Sequence, residues 1–206
     1  MPRSLTMLAV FTLGIGLAAC GSVTGTPTST SGNASTTASS KPNLYGAPHV
    51  AHPLNTTAFQ KKPCSMLTAA QLKRLHADPS VLLATRTTAS NHPGGGPSCG
   101  HLGGGVGTTG SIELLTAGDG LKNLYGQRND FGVFKILPPV EGYPAVIAMV
   151  GHDDRSQGHC SLEVGITDSL IVQLDMHVYD GPDKTKQCTP TATIAHVVLK
   201  TLKGGS

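Results

Sequence analysis

Tryptophan is absent from this chain, and only four Phe and four Tyr are spread over its 206 residues. Charge is sparse as well: Asp, Glu, Lys and Arg make up 13% of the residues, with a net of +3 and no basic block. That balance excludes the electrostatic footprint of a nucleic-acid binder or of a protein that holds an acidic polymer. No Cys-x-x-Cys occurs, so the spacing of a zinc knuckle or dithiol redox site is missing. No Gly-Lys-Ser/Thr occurs either, which removes the phosphate loop. The longest apolar run, Leu5 to Ala18, falls short of the roughly 20 residues that span a bilayer as a helix.

What is present begins with that run. Arg3 gives it a positive flank, and Leu17-Ala18-Ala19-Cys20 closes it. Its length and flanks fit a cleaved signal peptide, residues 1–19. A thiol directly after two small residues fits the lipoprotein variant, in which Cys20 becomes the first residue and carries acyl chains such as palmitate. Two or more chains anchor stably, at about 0.8 kcal/mol per buried methylene. The expected location is therefore the extracytoplasmic face of the cell membrane, with the membrane as a partner through Cys20.

Residues 20–61 are mostly Thr, Ser, Gly, Ala, Pro and Asn, with Lys41 and Lys61 as the only Lys, Arg, Asp or Glu. Such a stretch buries too little apolar surface to offset its ordering entropy, and we expect a disordered tether averaging roughly 35 Å end to end. Residues 62–206 are the expected folded domain. Asn33-Ala34-Ser35 and Asn55-Thr56-Thr57 match the N-glycosylation pattern, which has no default meaning in a bacterial lipoprotein.

Apart from Cys20 the cysteines are Cys64, Cys99, Cys160 and Cys188, an even set that outside the cytoplasm implies two disulfides with three possible pairings. We expect Cys64–Cys188, joining the approaches to the first and last helices, and Cys99–Cys160, joining two strands. Loops of that length correspond to at most about 4–5 kcal/mol each, a large share of the stability of a domain poor in aromatics.

Periodicity gives the elements. Thr68-Ala69-Ala70-Gln71 is a capping box opening a helix whose Leu72 and Leu75 face inward. Residues 98–116 alternate as a strand pair after Gly94-Gly95-Gly96. Asp119 is placed to cap a helix with Leu121, Leu124, Tyr125 and Arg128 at three- and four-residue spacing. Phe134 and Ile136 mark a strand that Pro138-Pro139 should break, and Ala145 to Val150 reads as a central strand. Cys160 to Val178 alternates apolar and polar residues around Asp168-Ser169, the signature of a hairpin in a sheet covered on one side. Thr189-Pro190 opens a last helix whose β-branched Ile194, Val197 and Val198 need packing to hold it. The expected fold is α+β: an antiparallel sheet of about five to six strands, helices on one face, and two disulfides.

Pro63-Cys64 before a Leu-Thr-x-x-Gln-Leu helix, Cys99 in the next strand and Gly120-Leu-Lys-Asn-Leu-Tyr125 form a pattern. Gly142-Tyr143-Pro144-Ala145-Val146, Cys160-Ser-Leu-Glu-Val-Gly165 and Cys188 before the final helix continue it. Together, over Pro63 to Leu202, they resemble an actinobacterial secreted-lipoprotein family known only as a domain of unknown function (DUF3558-like). The resemblance implies an actinobacterial surface lipoprotein and supports two disulfides; it implies no reaction. Members often carry an aromatic two positions after the strand cysteine, where His101 stands here.

Three patterns point toward chemistry. Gly96-Pro97-Ser98-Cys99-Gly100 matches the nucleophile elbow of serine hydrolases, with His152, His159, His177 and His196 as nominal bases. Its Gly100 is followed by His-Leu-Gly-Gly-Gly rather than a helix, and Cys99 is better used in a disulfide. Gly105-Val-Gly-Thr-Thr-Gly110 matches Gly-x-Gly-x-x-Gly but precedes a strand, so it lacks the helix N-terminus that a dinucleotide needs. His152, Asp153, Asp154 and His159 cluster without a helical or alternating spacing that would give metal ligands one common face. The sequence reading is thus a non-enzymatic binding or scaffold module of the envelope, without cofactor, metal or nucleic acid. Its partner would be an envelope protein or a small apolar ligand. A serine hydrolase using Ser98 and a weak metal-binding sensor are the alternatives.

Overall fold

A computed structural model describes residues 44–77, 86–91, 95–102, 108–178, 186 and 188–204. The signal region, Cys20, the rest of the expected tether up to residue 43, and Gly105, Val106 and Gly107 of the Gly105–Gly110 motif lie outside these residues, as does the side chain of His101.

The described strands form a single antiparallel sheet. They are β1 (Arg86–Asn91), β2 (Pro97–Leu102), β3 (Thr108–Leu115), β4 (Phe131–Val140), β5 (Tyr143–Val150), β6 (His159–Thr167) and β7 (Leu170–Val178), in the order β1-β2-β3-β7-β6-β5-β4. Hairpins make most of the connections. β6 and β7 turn at Asp168-Ser169, with Thr167 paired to Leu170. Between β4 and β5 the turn is Glu141-Gly142, where both residues have positive φ (52° and 87°). A two-residue hairpin needs that conformation to match the strand twist, and Gly142 takes it without cost.

Alternation sends one set of side chains to each face. On the first face Ile112, Leu114, Leu162, Val164, Ile166, Val172, Leu174 and Met176 are fully buried. They meet Ile194, Val198, Leu199 and Leu202 of α4 (Cys188–Gly204). Beside α4 lie α1 (Thr57–Lys61), a 3-10 turn (Pro63–Met66) and α2 (Ala69–Ala77), which contribute Phe59, Met66, Leu67 and Leu75. The capping box of α2 forms: Thr68 N donates to Gln71 Oε1 at 2.7 Å and Gln71 N donates to Thr68 Oγ1 at 3.2 Å.

The sheet has seven strands rather than five or six, because β1 is built from the polar Arg-Thr-Thr-Ala-Ser-Asn, which carries no alternating apolar signal. Helices also occupy both faces. The helix α3 (Leu121–Gly126) lies on the second face, where Leu121 and Tyr125 bury against Val146, Ala148 and Ile171. Gly165 permits this approach, since a Cβ there would stand 2.8 Å from Leu121 Cδ1. Gly120, not Asp119, is the N-cap of α3, and Asp119 instead pairs with Lys122 at 3.2 Å. Pro138-Pro139 does not end β4, which is an edge strand: it has no outer ladder to lose and absorbs the prolines in a register shift between Leu137 and Val140. Ala145 to Val150 lies in β5, an inner strand paired with β4 on one side and β6 on the other, as its nearly continuous apolar run predicts.

The disulfides are Cys64–Cys99 and Cys160–Cys188, not the pairing expected from sequence. The sheet order explains the correction. Cys99 on β2 and Cys160 on β6 have β3 and β7 between them. Three strand spacings are roughly 14 Å, well beyond the reach of a disulfide. The 3-10 turn brings Cys64 over Cys99, and the start of α4 stands beside Cys160, with Cα separations of 4.8 and 5.2 Å.

The folded domain also starts earlier than residue 62. Val50 and Phe59 are 2% and 1% exposed. Val50 N donates to Asp168 Oδ1 at 2.8 Å, and Leu54 N donates to Ile166 O at 3.0 Å. Val50 and Phe59 enter the core, and Leu54 packs against it.

Candidate binding face

The second face of the sheet divides along the strands. At one end Leu115, Gly165, Ile171 and Val146 lie under α3 and the Leu44–Ala47 segment. Toward the other end the register aligns polar residues in rows across the strands. Ser98, Glu113, Gln173 and Glu163 form the first row, Ser111, Asp175 and Ser161 the second, and Thr109, His177 and His159 the third. The local cause is the period of two: each residue is separated from the next on its strand by one that faces the α4 core.

Glu163 is the most deeply placed of these groups, at 2% exposure. Ser161 Oγ donates to its Oε1 at 2.7 Å, Gln173 Nε2 donates to Ser161 Oγ at 3.0 Å, and the Ala148 amide donates to its Oε2 at 3.0 Å. Desolvation pushes the carboxyl up to about 8, further than these hydrogen bonds pull it down, and the charge of Asp175 adds to the rise. Glu163 is therefore neutral at pH 7. Its protonated oxygen can donate to Ser161, whose hydroxyl accepts as readily as it donates.

Nearer to solvent, His159 Nε2 and Asp175 Oδ2 are 2.9 Å apart, and the His159 and His177 rings stand side by side with centroids 5.6 Å apart. Glu113 is half-buried and accepts from the Gly96 amide at 2.7 Å, which ties the loop before β2 to β3. The face thus offers a half-exposed carboxylate and two imidazoles over a neutral, buried hydrogen-bond network. That arrangement suits the recognition of a polar or cationic partner group.

Each residue singled out in the sequence has a definite place. Ser98 sits within β2 at 1% exposure, its Oγ 2.6 Å from Ser90 Oγ. It is not at the strand-to-helix turn that presents a nucleophile. Of the nominal bases, His196 lies on the outer side of α4 with its Nδ1 3.1 Å from Glu141 Oε1, and His152 is exposed in the loop after β5. The four members of the expected metal cluster separate: Asp153 is held by Arg155, whose guanidinium keeps that carboxyl down at about 2, while His159 turns to Asp175 on β7. Among the described residues no group of three or more His, Cys, Asp or Glu side chains could hold a metal ion. The Glu163 network was missed by sequence reasoning. Its signal was the shared register of Ser161 with Asp175 and of Glu163 with Gln173; the burial of one end of that row was not visible.

Fold and site together define a disulfide-bonded α+β protein built on one antiparallel sheet, with one face closed by helices and the other partly open and polar. The chain belongs to the family described as a protein of unknown function (DUF3558), whose match runs over residues 15–201. No curated protein and no solved structure matches it.

Proposed function

We propose that this protein is a lipid-anchored lipoprotein on the extracytoplasmic face of the cell membrane, serving as a non-enzymatic binding or scaffold module of the envelope. One observation carries the reading. The two disulfides use four of the five cysteines and leave Cys20 outside them, at the end of a lipoprotein-type signal. The family match takes in Cys20 as well as the folded domain. The first face of the sheet is filled by the protein's own helices, which weighs against a small apolar ligand there. The half-open polar face favours a polar surface of an envelope partner instead. Burial of Ser98 within a strand weighs against a serine hydrolase.

Mass spectrometry of the protein purified from membranes of an expressing bacterium tests the anchor. The expected N-terminal peptide begins at Cys20 and carries acyl chains, and Cys20→Ala abolishes both the modification and membrane retention. An unmodified Cys20 in membrane-purified protein overturns the reading. Labelling by a fluorophosphonate probe that Ser98→Ala removes would replace it with the hydrolase.

A further inference from the structure

The net charge of +3 conceals a division. Residues 44–77 and 188–204, which supply α1, the 3-10 turn, α2 and α4, contain six cations (Lys61, Lys62, Lys73, Arg74, Lys200 and Lys203) and no Asp or Glu. The remainder of the chain holds 9 basic residues against 12 acidic ones. All six cations are exposed. They belong to the layer that covers the first face of the sheet, where α2 and α4 are joined by Gln71 Nε2 donating to Thr201 Oγ1 at 2.8 Å. Lys73 and Arg74 follow Gln71 on the outer side of α2, and Lys200 neighbours Thr201 on α4. Among the described residues two acids reach these segments from the sheet: Asp168, at the β6–β7 turn, sits against His49 and Val50, and Glu141 lies at the β4–β5 turn. The Glu141 carboxylate lies 3.7 Å from Lys200 Nζ and 3.8 Å from Lys203 Nζ, and six cations against these two acids leave the layer positive.

We propose that this helical layer docks on anionic lipid headgroups of the leaflet that holds the anchor. The inference rests on the lipid anchor proposed above, because the anchor supplies the proximity. Only 23 residues separate Cys20 from Leu44. Fully extended they reach at most about 80 Å, so the domain stays close to the leaflet. Tethering turns a weak surface contact into an intramolecular one at high effective concentration. Basic residues near an anionic surface each contribute about fivefold in affinity, and a basic patch is the usual second signal beside acyl chains. Docked in this way, the domain turns its polar sheet face, with Asp175, His159 and His177, away from the membrane toward the envelope.

The test uses the mature chain from residue 20 with Cys20→Ser, so that no acyl chain contributes, in flotation with vesicles of phosphatidylcholine with and without phosphatidylglycerol. The expected result is binding to the phosphatidylglycerol vesicles alone, lost on raising the salt concentration. Neutralising Lys73 and Arg74 to Gln is expected to weaken it about 30-fold together, while Lys122→Gln, on α3 of the opposite face, leaves it unchanged. A salt titration without the Lys73 and Arg74 substitutions probes the same surface and does not depend on the folding of those variants. No binding at low salt, or equal binding to neutral vesicles, overturns the docking surface. Acylation of Cys20, read separately by mass, is untouched by either result, so failure of the patch and failure of the anchor are distinguishable.

Discussion

Glu163 and Ala148 are joined where β5 and β6 part company. Their ladder pairs only Ala145 through Ile147 with Val164 through Leu162. Just beyond it the Ala148 amide donates to Glu163 Oε2 at 3.0 Å, so a side-chain oxygen continues what the neighbouring strand no longer supplies. Buried amides need such a partner.

A pH dependence follows from that arrangement. An unfolded carboxyl titrates near 4.5, whereas folded Glu163 titrates at about 8. Between those values the folded state binds more protons, so its stability falls as pH rises through the window. Glu163→Gln keeps a neutral acceptor for Ala148 and removes the slope. Urea denaturation at the acid and alkaline ends should show the variant close to the parent at the first and more stable at the second, by on the order of a few kcal/mol. Parallel pH profiles for the two proteins would contradict the assignment.

The two disulfides close loops with sequence separations of 35 and 28 residues. In the chain-entropy treatment each contributes about 3.5–4 kcal/mol. The Cys64→Ala/Cys99→Ala pair of substitutions should lower stability by about that amount, more than most single truncations of the core. Non-reducing peptide mapping should link Cys64 with Cys99 and Cys160 with Cys188.

Gly165 lies under Leu121, so Gly165→Ala should push α3 off the second face. The expected cost is about 1–3 kcal/mol, as for other overpacked sites. Hydrogen exchange should rise over α3 while α4 stays protected. Uniform loss of protection would show that α3 is not an independent layer.

Glu141 gathers His196, Lys200 and Lys203 onto the β4–β5 turn, and its hydrogen bond to His196, ahead of the charges of Lys200 and Lys203, lowers its carboxyl below the ordinary range. A lowered carboxyl stabilises above its unfolded value and loses that contribution as pH falls through the folded one. Glu141→Gln should therefore cost stability at neutral pH, by about 1 kcal/mol or less for so open a pair, and nothing in strong acid. Thermal melts at the two pH values check the sign.

Much of this fold was legible in the sequence because its signals are local. The capping box at Thr68, the β6–β7 hairpin and the last helix, with Pro190 in its first turn, each follow from residues within one or two turns of themselves. The failures concern relations across the sheet. Which strands lie between Cys99 and Cys160 depends on strand order, which periodicity does not carry. Val50 and Phe59 are apolar residues scattered in a polar stretch, and only the finished core shows where they go. Glu163 reads as one more solvent-facing residue of an alternating strand, because alternation reports which face a side chain takes and not what lies above that face.

The order of the cysteine partners bears on how the chain matures. Each disulfide joins cysteines that follow one another among the four: Cys64 with Cys99, then Cys160 with Cys188. On the location proposed above, a chain emerging from a translocation channel N-terminus first would present these thiols one after another. An oxidant that joins each newcomer to the last free thiol would then reach the native pairing with no reshuffling. That scheme tolerates no extra thiol ahead of Cys64, since a free Cys20 would shift every pairing by one. Acylation of Cys20, on the function proposed above, would remove that competitor as well as supply the anchor.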